Sequence, residues 1–208
     1  MGLDKLLDHH HRQVNRKAWT DLHHFSDALA EAGQLKTISD QVSPKLQVTA
    51  LCHRSLMQEG PALLFEKPQG FDMPVLGNLF GNRQRILSAL ELENDEGLRA
   101  LGEELAFLRN PHLPDSRKSA LDAVPGLARL THVAVKKKDK APWQENVIEG
   151  PDVDLGALPV STCWPEDAAP LITWGMAVTR GPNKPRVNLA IYRQQVIGKN
   201  KLIMRWLP

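Results

Sequence analysis

The sequence has no run of about 18 apolar residues, so it holds no segment able to cross a bilayer as a helix. Its opening, MGLDKLLDHHHRQ, lacks the apolar core of a secretory signal. Together these absences lead to the expectation of a cytoplasmic protein, with at most a peripheral association at the inner face of the cell membrane. Cysteine is scarce: Cys52 and Cys163 are the only two, they form no metal-binding spacing, and reduced thiols are the default in that compartment. No histidine lies near Cys163 in sequence, so it is not read as a nucleophile. An excess of either charge is also missing. With 26 Lys and Arg against 24 Asp and Glu, the net charge of +2 carries no strong preference for nucleic acid or a membrane surface. There is no GxGxxG, which weighs against a nicotinamide-dependent oxidoreductase.

What is present is ordinary globular material, 42% apolar and 24% charged over 208 residues, enough to bury one or two modest cores. Trp19, Leu22, Phe25 and Leu29 recur at helical spacing before Gly33, which predicts a helix over residues 20 to 32. A short strand is expected at Leu35 to Ile38, a helix from Val48 to Gln58, and strands at Ala62 to Glu66 and Met73 to Gly77. Asn82 is a candidate N-cap for a helix over Arg83 to Leu92. Leu98, Leu101, Leu105 and Leu108 form a stripe on a further helix, capped by Asn94 or Asp95, and core packing is the expected role of that stripe. Prolines 111 and 114 end it. Lys136 to Lys138 belong to a stretch read as an exposed connection. His9 to His11 and the pair His23 and His24 are discounted as metal ligands, the first because they fall in a leader, the second because adjacent helical side chains point apart.

The last fifty residues read differently. Leu171 to Arg180 and Arg186 to Gln194 are β-rich and flank GPNKP, Gly181 to Pro185, a turn composition, so a hairpin is expected. A second break at Gly198 to Lys201 separates Gln195-Val196-Ile197 from Leu202 to Leu207, giving an antiparallel meander of three or four strands. Asn188, Ala190 and Tyr192 share one face of a regular strand, and Leu189, Ile191 and Arg193 share the other.

The runs CWPEDAAPLITWG, VTRGP and NLAIYRQQVIGKNKLIMRW, with GPALLFEKPQGFDMPVLGNLFGN at Gly60 to Asn82, resemble the UbiD family of decarboxylases, the 3-octaprenyl-4-hydroxybenzoate carboxy-lyases of ubiquinone biosynthesis. The likeness covers the chain from about Trp19 onward. It implies an α+β protein: a leader at residues 1–18, an amino-terminal mixed α/β domain at 19–129, a basic linker at 130–142, and at 143–208 the first strands of a split β-barrel domain of flavin-reductase-like type. It implies prenylated FMN as cofactor and Mn2+ or another divalent metal on the Asn188 side-chain oxygen, bridging to the flavin phosphate. Ile191, Tyr192 and Arg193 match one flavin-contacting run, and Arg205, Trp206 and Leu207 match another. The arginine at Arg193 is also implied to be catalytic, facing the substrate carboxylate with a planar, permanently charged fork. Leu189 is a candidate to lend a backbone carbonyl to a monovalent cation such as K+.

The implied reaction is loss of carbon dioxide from a 3-polyprenyl-4-hydroxybenzoate, with a flavin prenyltransferase supplying the cofactor and a homo-oligomer as the assembled form. If Asn188 and Arg193 serve one flavin, the strand between them must carry a bulge, bend or end, because five residues of regular strand put them on opposite faces. In the family, a metal-binding histidine, an Arg-Gly pair, a metal-binding glutamate and an acidic proton donor follow RWL, whereas here Pro208 is the last residue. The expectation is therefore that residues 1–208 alone are inactive. Two other readings stand beside this one: a non-enzymatic truncated product or oligomer partner, and an FMN-binding oxidoreductase.

Overall fold

The computed structural model describes residues 19–109, 139–184 and 187–205. The leader and Lys136 to Lys138 lie outside those residues. The described residues fall into two compact units, one made of residues 19–86 and 148–205, the other of residues 87–109 and 139–147.

The first unit opens with α1, Leu22–Glu31. Asp21 sits before it in extended conformation, and its carboxylate accepts the His24 N–H at 2.9 Å, satisfying one of the helix's orphan donors. Those contacts hold the Asp21 carboxyl below its ordinary range, the His24 N–H bond first and the Thr20 hydroxyl second. The helix ends in a Schellman arrangement: Gly33, at φ +68°, donates to Ala30 O at 3.0 Å, and Gln34 donates to Leu29 O at 2.7 Å. Phe25 and Leu29 are its buried positions.

Three strands follow, β1 at Leu35–Ile38, β2 at Ala62–Phe65 and β3 at Val75–Gly77, in the order β1-β2-β3. Helix α2, Gln47–Met57, connects β1 to β2, and these two strands pair in parallel, Leu35 opposite Ala62 through Ile38 opposite Phe65. β3 returns antiparallel, with Leu63 opposite Gly77 and Phe65 opposite Val75. Helix α2 lays Val48, Leu51 and Cys52 against Val42, Leu63, Phe65 and Val75, which is where the core sits. The expected helix after Asn82 is α3, Arg83–Ala89, and the Asn82 Oδ1 accepts the Arg85 N–H at 2.9 Å.

The carboxy-terminal strands are β4 at Leu171–Ile172, β5 at Met176–Arg180, β6 at Val187–Ile191, β7 at Gln194–Gly198 and β8 at Lys201–Met204. They do not form one meander. β5 and β6 make the expected hairpin as a two-stranded sheet, while β4, β7 and β8 form a separate sheet in the order β4-β7-β8. The chain crosses between the two sheets twice, at Thr173 to Gly175 and at Tyr192-Arg193, and the crossings are joined by the Tyr192 N–H donating to Gly175 O at 3.3 Å. Gly175 also packs tightly on the end of β4, where a Cβ would lie 3.1 Å from Ile172 Cγ2. A register shift between Val196 and Gly198 marks a bulge in β7.

In the second unit, α4 spans Asp95–Arg109 and is capped by Asn94, whose Oδ1 accepts the Gly97 N–H at 3.0 Å. The leucine stripe does not pack as a core: no residue of α4 is buried, and Leu105 is 57% exposed.

Candidate functional site

The β5-β6 hairpin turns at Gly181 to Lys184, with Asn183 at φ +57° and the Lys184 N–H donating to Gly181 O at 3.3 Å. Its register places Met176 opposite Ile191, Val178 opposite Leu189 and Thr179 opposite Asn188. The alternation of a pleated strand then sorts the side chains. One face carries Met176, Val178, Val187, Leu189 and Ile191, with Arg180 at its turn end, all exposed; the other carries Ala177, Thr179, Asn188 and Ala190. Asn188 therefore stands on a face of small and polar neighbours.

The Asn188 amide nitrogen lies 3.5 Å from Thr179 Oγ1 and 3.5 Å from Tyr192 OH, at the long limit of a hydrogen bond. With the nitrogen turned to the two hydroxyls, the amide oxygen is the end left for a cation. A hard divalent ion prefers such an oxygen, so Asn188 fits the implied metal as one ligand. It does not make a site by itself, for among the described residues no group of three or more His, Cys, Asp or Glu side chains comes together.

The strand holding Asn188 ends at Ile191, and the next begins at Gln194. The break expected between Asn188 and Arg193 is thus present, at Tyr192-Arg193. A second relation follows from the register of the neighbouring sheet. Gln194 pairs with Met204 in the antiparallel β7-β8 ladder, so Arg193 and Arg205, each one step further out, leave the same end of that sheet. Both arginines are exposed. Two guanidiniums leaving one sheet end beside the Asn188 strand make an anion-attracting edge. Trp206 and Leu207, the remainder of the second flavin-contacting run, lie outside the described residues.

Next to this edge runs a groove of about 540 Å³. Val48 and Cys52 of α2, Val75 to Gly77 of β3, Leu158 to Ser161, and Leu171 to Gly175 form its walls. No charged side chain lines it among the described residues. Segment 158–163 is held there by the Leu46 N–H donating to Thr162 O at 2.9 Å and by the Leu171 N–H donating to Ser161 O at 2.9 Å. Both thiols are free and border the groove. Burial, with a smaller contribution from Cys163, pushes the Cys52 thiol up to about 11. Gly77 leaves room for it, because a Cβ at that position would overlap Cys52 Sγ.

Sequence reasoning did not find Arg85 or the groove. Arg85 is 1% exposed and donates to Leu79 O at 2.9 Å, Gly60 O at 3.0 Å, Asn78 O at 3.1 Å and Gln34 Oε1 at 3.2 Å. It ties the loop Asn78 to Asn82 to the start of β2 and the end of α1. The signal that could have flagged it is the paired Gly-Asn of GNLFGN, which forces backbone carbonyls inward, Asn78 taking φ +54°. Groove walls come from segments some eighty or more residues apart, so no local pattern announces them.

Two family models match the chain. The 3-octaprenyl-4-hydroxybenzoate carboxy-lyase N-terminal domain matches residues 26–105, and the Rift-related domain of the same carboxy-lyase matches residues 134–208. Among solved structures, the UbiD-class enzyme HmfF from Pelotomaculum thermopropionicum in complex with FMN is 26% identical at a TM-score of 0.67, covering 90% of this chain and 37% of that one. An evolved dimeric form of that enzyme in complex with prFMN is 27% identical at a TM-score of 0.67, covering 90% of this chain and 38% of the other. Vanillic acid decarboxylase from Sedimentibacter hydroxybenzoicus in closed form shares the fold at a TM-score of 0.71 and 24% identity, over 92% of this chain and 38% of that one. The chain spans less than two-fifths of the length of these relatives. Matched in both its amino-terminal layer and its carboxy-terminal strands, in family order, the chain belongs to the UbiD family.

Proposed function

We propose that this chain forms the amino-terminal layer and the first flavin-facing strands of a decarboxylase that removes carbon dioxide from 3-polyprenyl-4-hydroxybenzoate in ubiquinone biosynthesis. The observation that carries the reading is the meeting of the Asn188 strand, the Tyr192-Arg193 break and Arg205 at one end of two small sheets. Prenylated FMN, when bound, supplies the electron sink that a decarboxylating aromatic ring requires and that no side chain provides. Asn188 would give one oxygen to a divalent ion such as Mn2+, shared with phosphate oxygens. Ile191, Tyr192 and Arg205, with Trp206 and Leu207, would border the flavin. Arg193 would grip the substrate carboxylate in a bidentate pair, fix its orientation and hold its charge until the bond to the ring breaks. The proton that replaces the carboxylate on the ring would come from an acid outside these residues.

The uncovered apolar face of the β5-β6 hairpin fits the inside of a split barrel completed by further strands. A flavin prenyltransferase would supply the cofactor, and a cytoplasmic homo-oligomer, peripheral to the membrane at most, would be the working form. Residues 1–208 by themselves would release no carbon dioxide, because Asn188 with phosphate oxygens holds a divalent ion only weakly when no cluster of His, Cys, Asp or Glu among the described residues joins it. Amide NMR signals of isotopically labelled protein, titrated with FMN and Mn2+, test the site directly. Paramagnetic broadening should centre on Asn188 to Arg193 and on Arg205, and fall in Asn188→Ala; broadening confined to other segments would overturn the placement.

A further inference from the structure

We infer that the groove between α2, β3 and residues 158–175 receives the polyprenyl tail of the substrate, leaving the aromatic acid at the Tyr192-Arg193 break. The inference rests on the proposed function and adds to it the residues that would select a prenylated acid over a bare one.

Three observations carry it. The first is charge. An isoprenoid chain is neutral and offers no hydrogen bonds, so a charged wall would have to lose water without recompense. Among the described residues this groove has no charged lining, whereas a second groove, about 510 Å³ beside β1, is lined by Lys36, Asp40 and Arg54 and suits no such tail. The second is continuity. Trp174 and Gly175 line the groove, and Gly175 O accepts the N–H of Tyr192, the neighbour of Arg193. A molecule with its carboxylate on Arg193 and its tail in the groove would run along this connection. The third is an exposed aromatic wall. Trp174 is 69% exposed, yet its ring is propped by Phe80 at 6.2 Å, and Phe80 is stacked on Phe25 at 6.4 Å. An indole so held presents a fixed apolar plate to a ligand. The size, about 540 Å³, lies within the range of roughly 300–1,000 Å³ found for small-molecule sites. The matched family models are those of an octaprenyl-substrate carboxy-lyase, so a tail of this chemistry is the occupant at hand.

The test uses 2-farnesylphenol, which has ring and tail but no carboxylate, against phenol and against straight-chain 2-pentadecylphenol. Binding to the full chain is followed by tryptophan fluorescence, with Trp174→Phe identifying the reporting ring, and by the rate at which N-ethylmaleimide alkylates Cys163. Expected are binding of 2-farnesylphenol at least about tenfold tighter than of phenol, slowed alkylation of Cys163, and at least tenfold weakening by Met73→Glu but not by Met73→Leu. Met73 is 50% exposed, so the charge should be tolerated in the fold. Should circular dichroism show Met73→Glu misfolded, Trp174→Arg puts charge into the same groove from a more exposed position. Equal binding of phenol, unprotected Cys163, indifference to the introduced charge, or equal affinity for the straight-chain analogue would overturn the inference. Because the probe carries no carboxylate and needs no flavin, its failure is separable from failure of the decarboxylase reading. Decarboxylation of bare 4-hydroxybenzoate by a completed enzyme whose groove ignores the farnesyl probe would overturn the tail site alone.

Discussion

Arg85 shows how a single residue can set a local fold without serving chemistry. Its guanidinium is enclosed, its partners are uncharged oxygens, and burial lowers its pKa from the ordinary arginine value. Replacing it with Met would take the donor from the Leu79 and Gly60 carbonyls, while the Asn78 carbonyl keeps the Gly81 N–H at 3.2 Å, and each unpaired interior group costs about 1–3 kcal/mol. Arg85→Met should therefore destabilise the first unit by at least about 2 kcal/mol in urea denaturation; a change below about 1 kcal/mol would contradict the network. Gly77 and Cys52 offer a second test at this scale. Gly77→Ala forces a methyl into Cys52 Sγ and should cost about 1–3 kcal/mol, and Cys52→Ala should recover most of that loss in a double-mutant cycle. Purely additive effects would sink the contact. The Cys52 thiol also predicts a pH dependence. A folded pKa raised from the ordinary 9.0 to about 11 favours the neutral thiol, so its stabilising share is complete below about pH 9 and is lost as the pH rises towards 11. In a Cys52→Ala background that part of the alkaline loss should vanish, as read by thermal denaturation at pH 8, 9.5 and 11.

At the scale of elements, the amino-terminal layer was legible because its signals are local. Apolar residues at helical spacing and the stop at Gly33 give α1, Asn82 caps α3, and β1 follows directly on that stop. The strands after Pro170 were legible as strands but not as sheets. Which ladder a strand joins depends on partners distant in sequence, and nothing local in Thr173 to Gly175 says that Leu171-Ile172 leaves β5 to pair with Gln194-Gln195. The leucine stripe of α4 misled for a related reason: helical period identifies an apolar face, not what lies against it. The β5-β6 hairpin carries its own prediction. Val178 is 69% exposed, so Val178→Lys should alter stability by no more than about 0.5 kcal/mol while lowering aggregation, measured by light scattering on heating. A loss above about 2 kcal/mol would mean that the face is packed. Asn188, on the opposite face, was legible only through the resemblance; its pattern alone reads equally as a rim residue.

For the molecule as a whole, composition and charge narrowed little, and family likeness supplied the proposed chemistry. The break at Tyr192-Arg193 was legible as a geometric requirement, whereas the exit of Arg193 and Arg205 from one sheet end, and the groove lined by Gly175, needed the three-dimensional register. The most direct measurement is carbon dioxide release from a prenylated 4-hydroxybenzoate by an enzyme in which residues 1–208 are joined to the remaining part of a UbiD-class relative, with prenylated FMN and manganese present. The account predicts turnover that falls at least about tenfold, or ~1.4 kcal/mol, in Arg193→Lys, which keeps the charge but loses the planar fork, and by at least as much in Asn188→Ala. Turnover unchanged in both variants would contradict it.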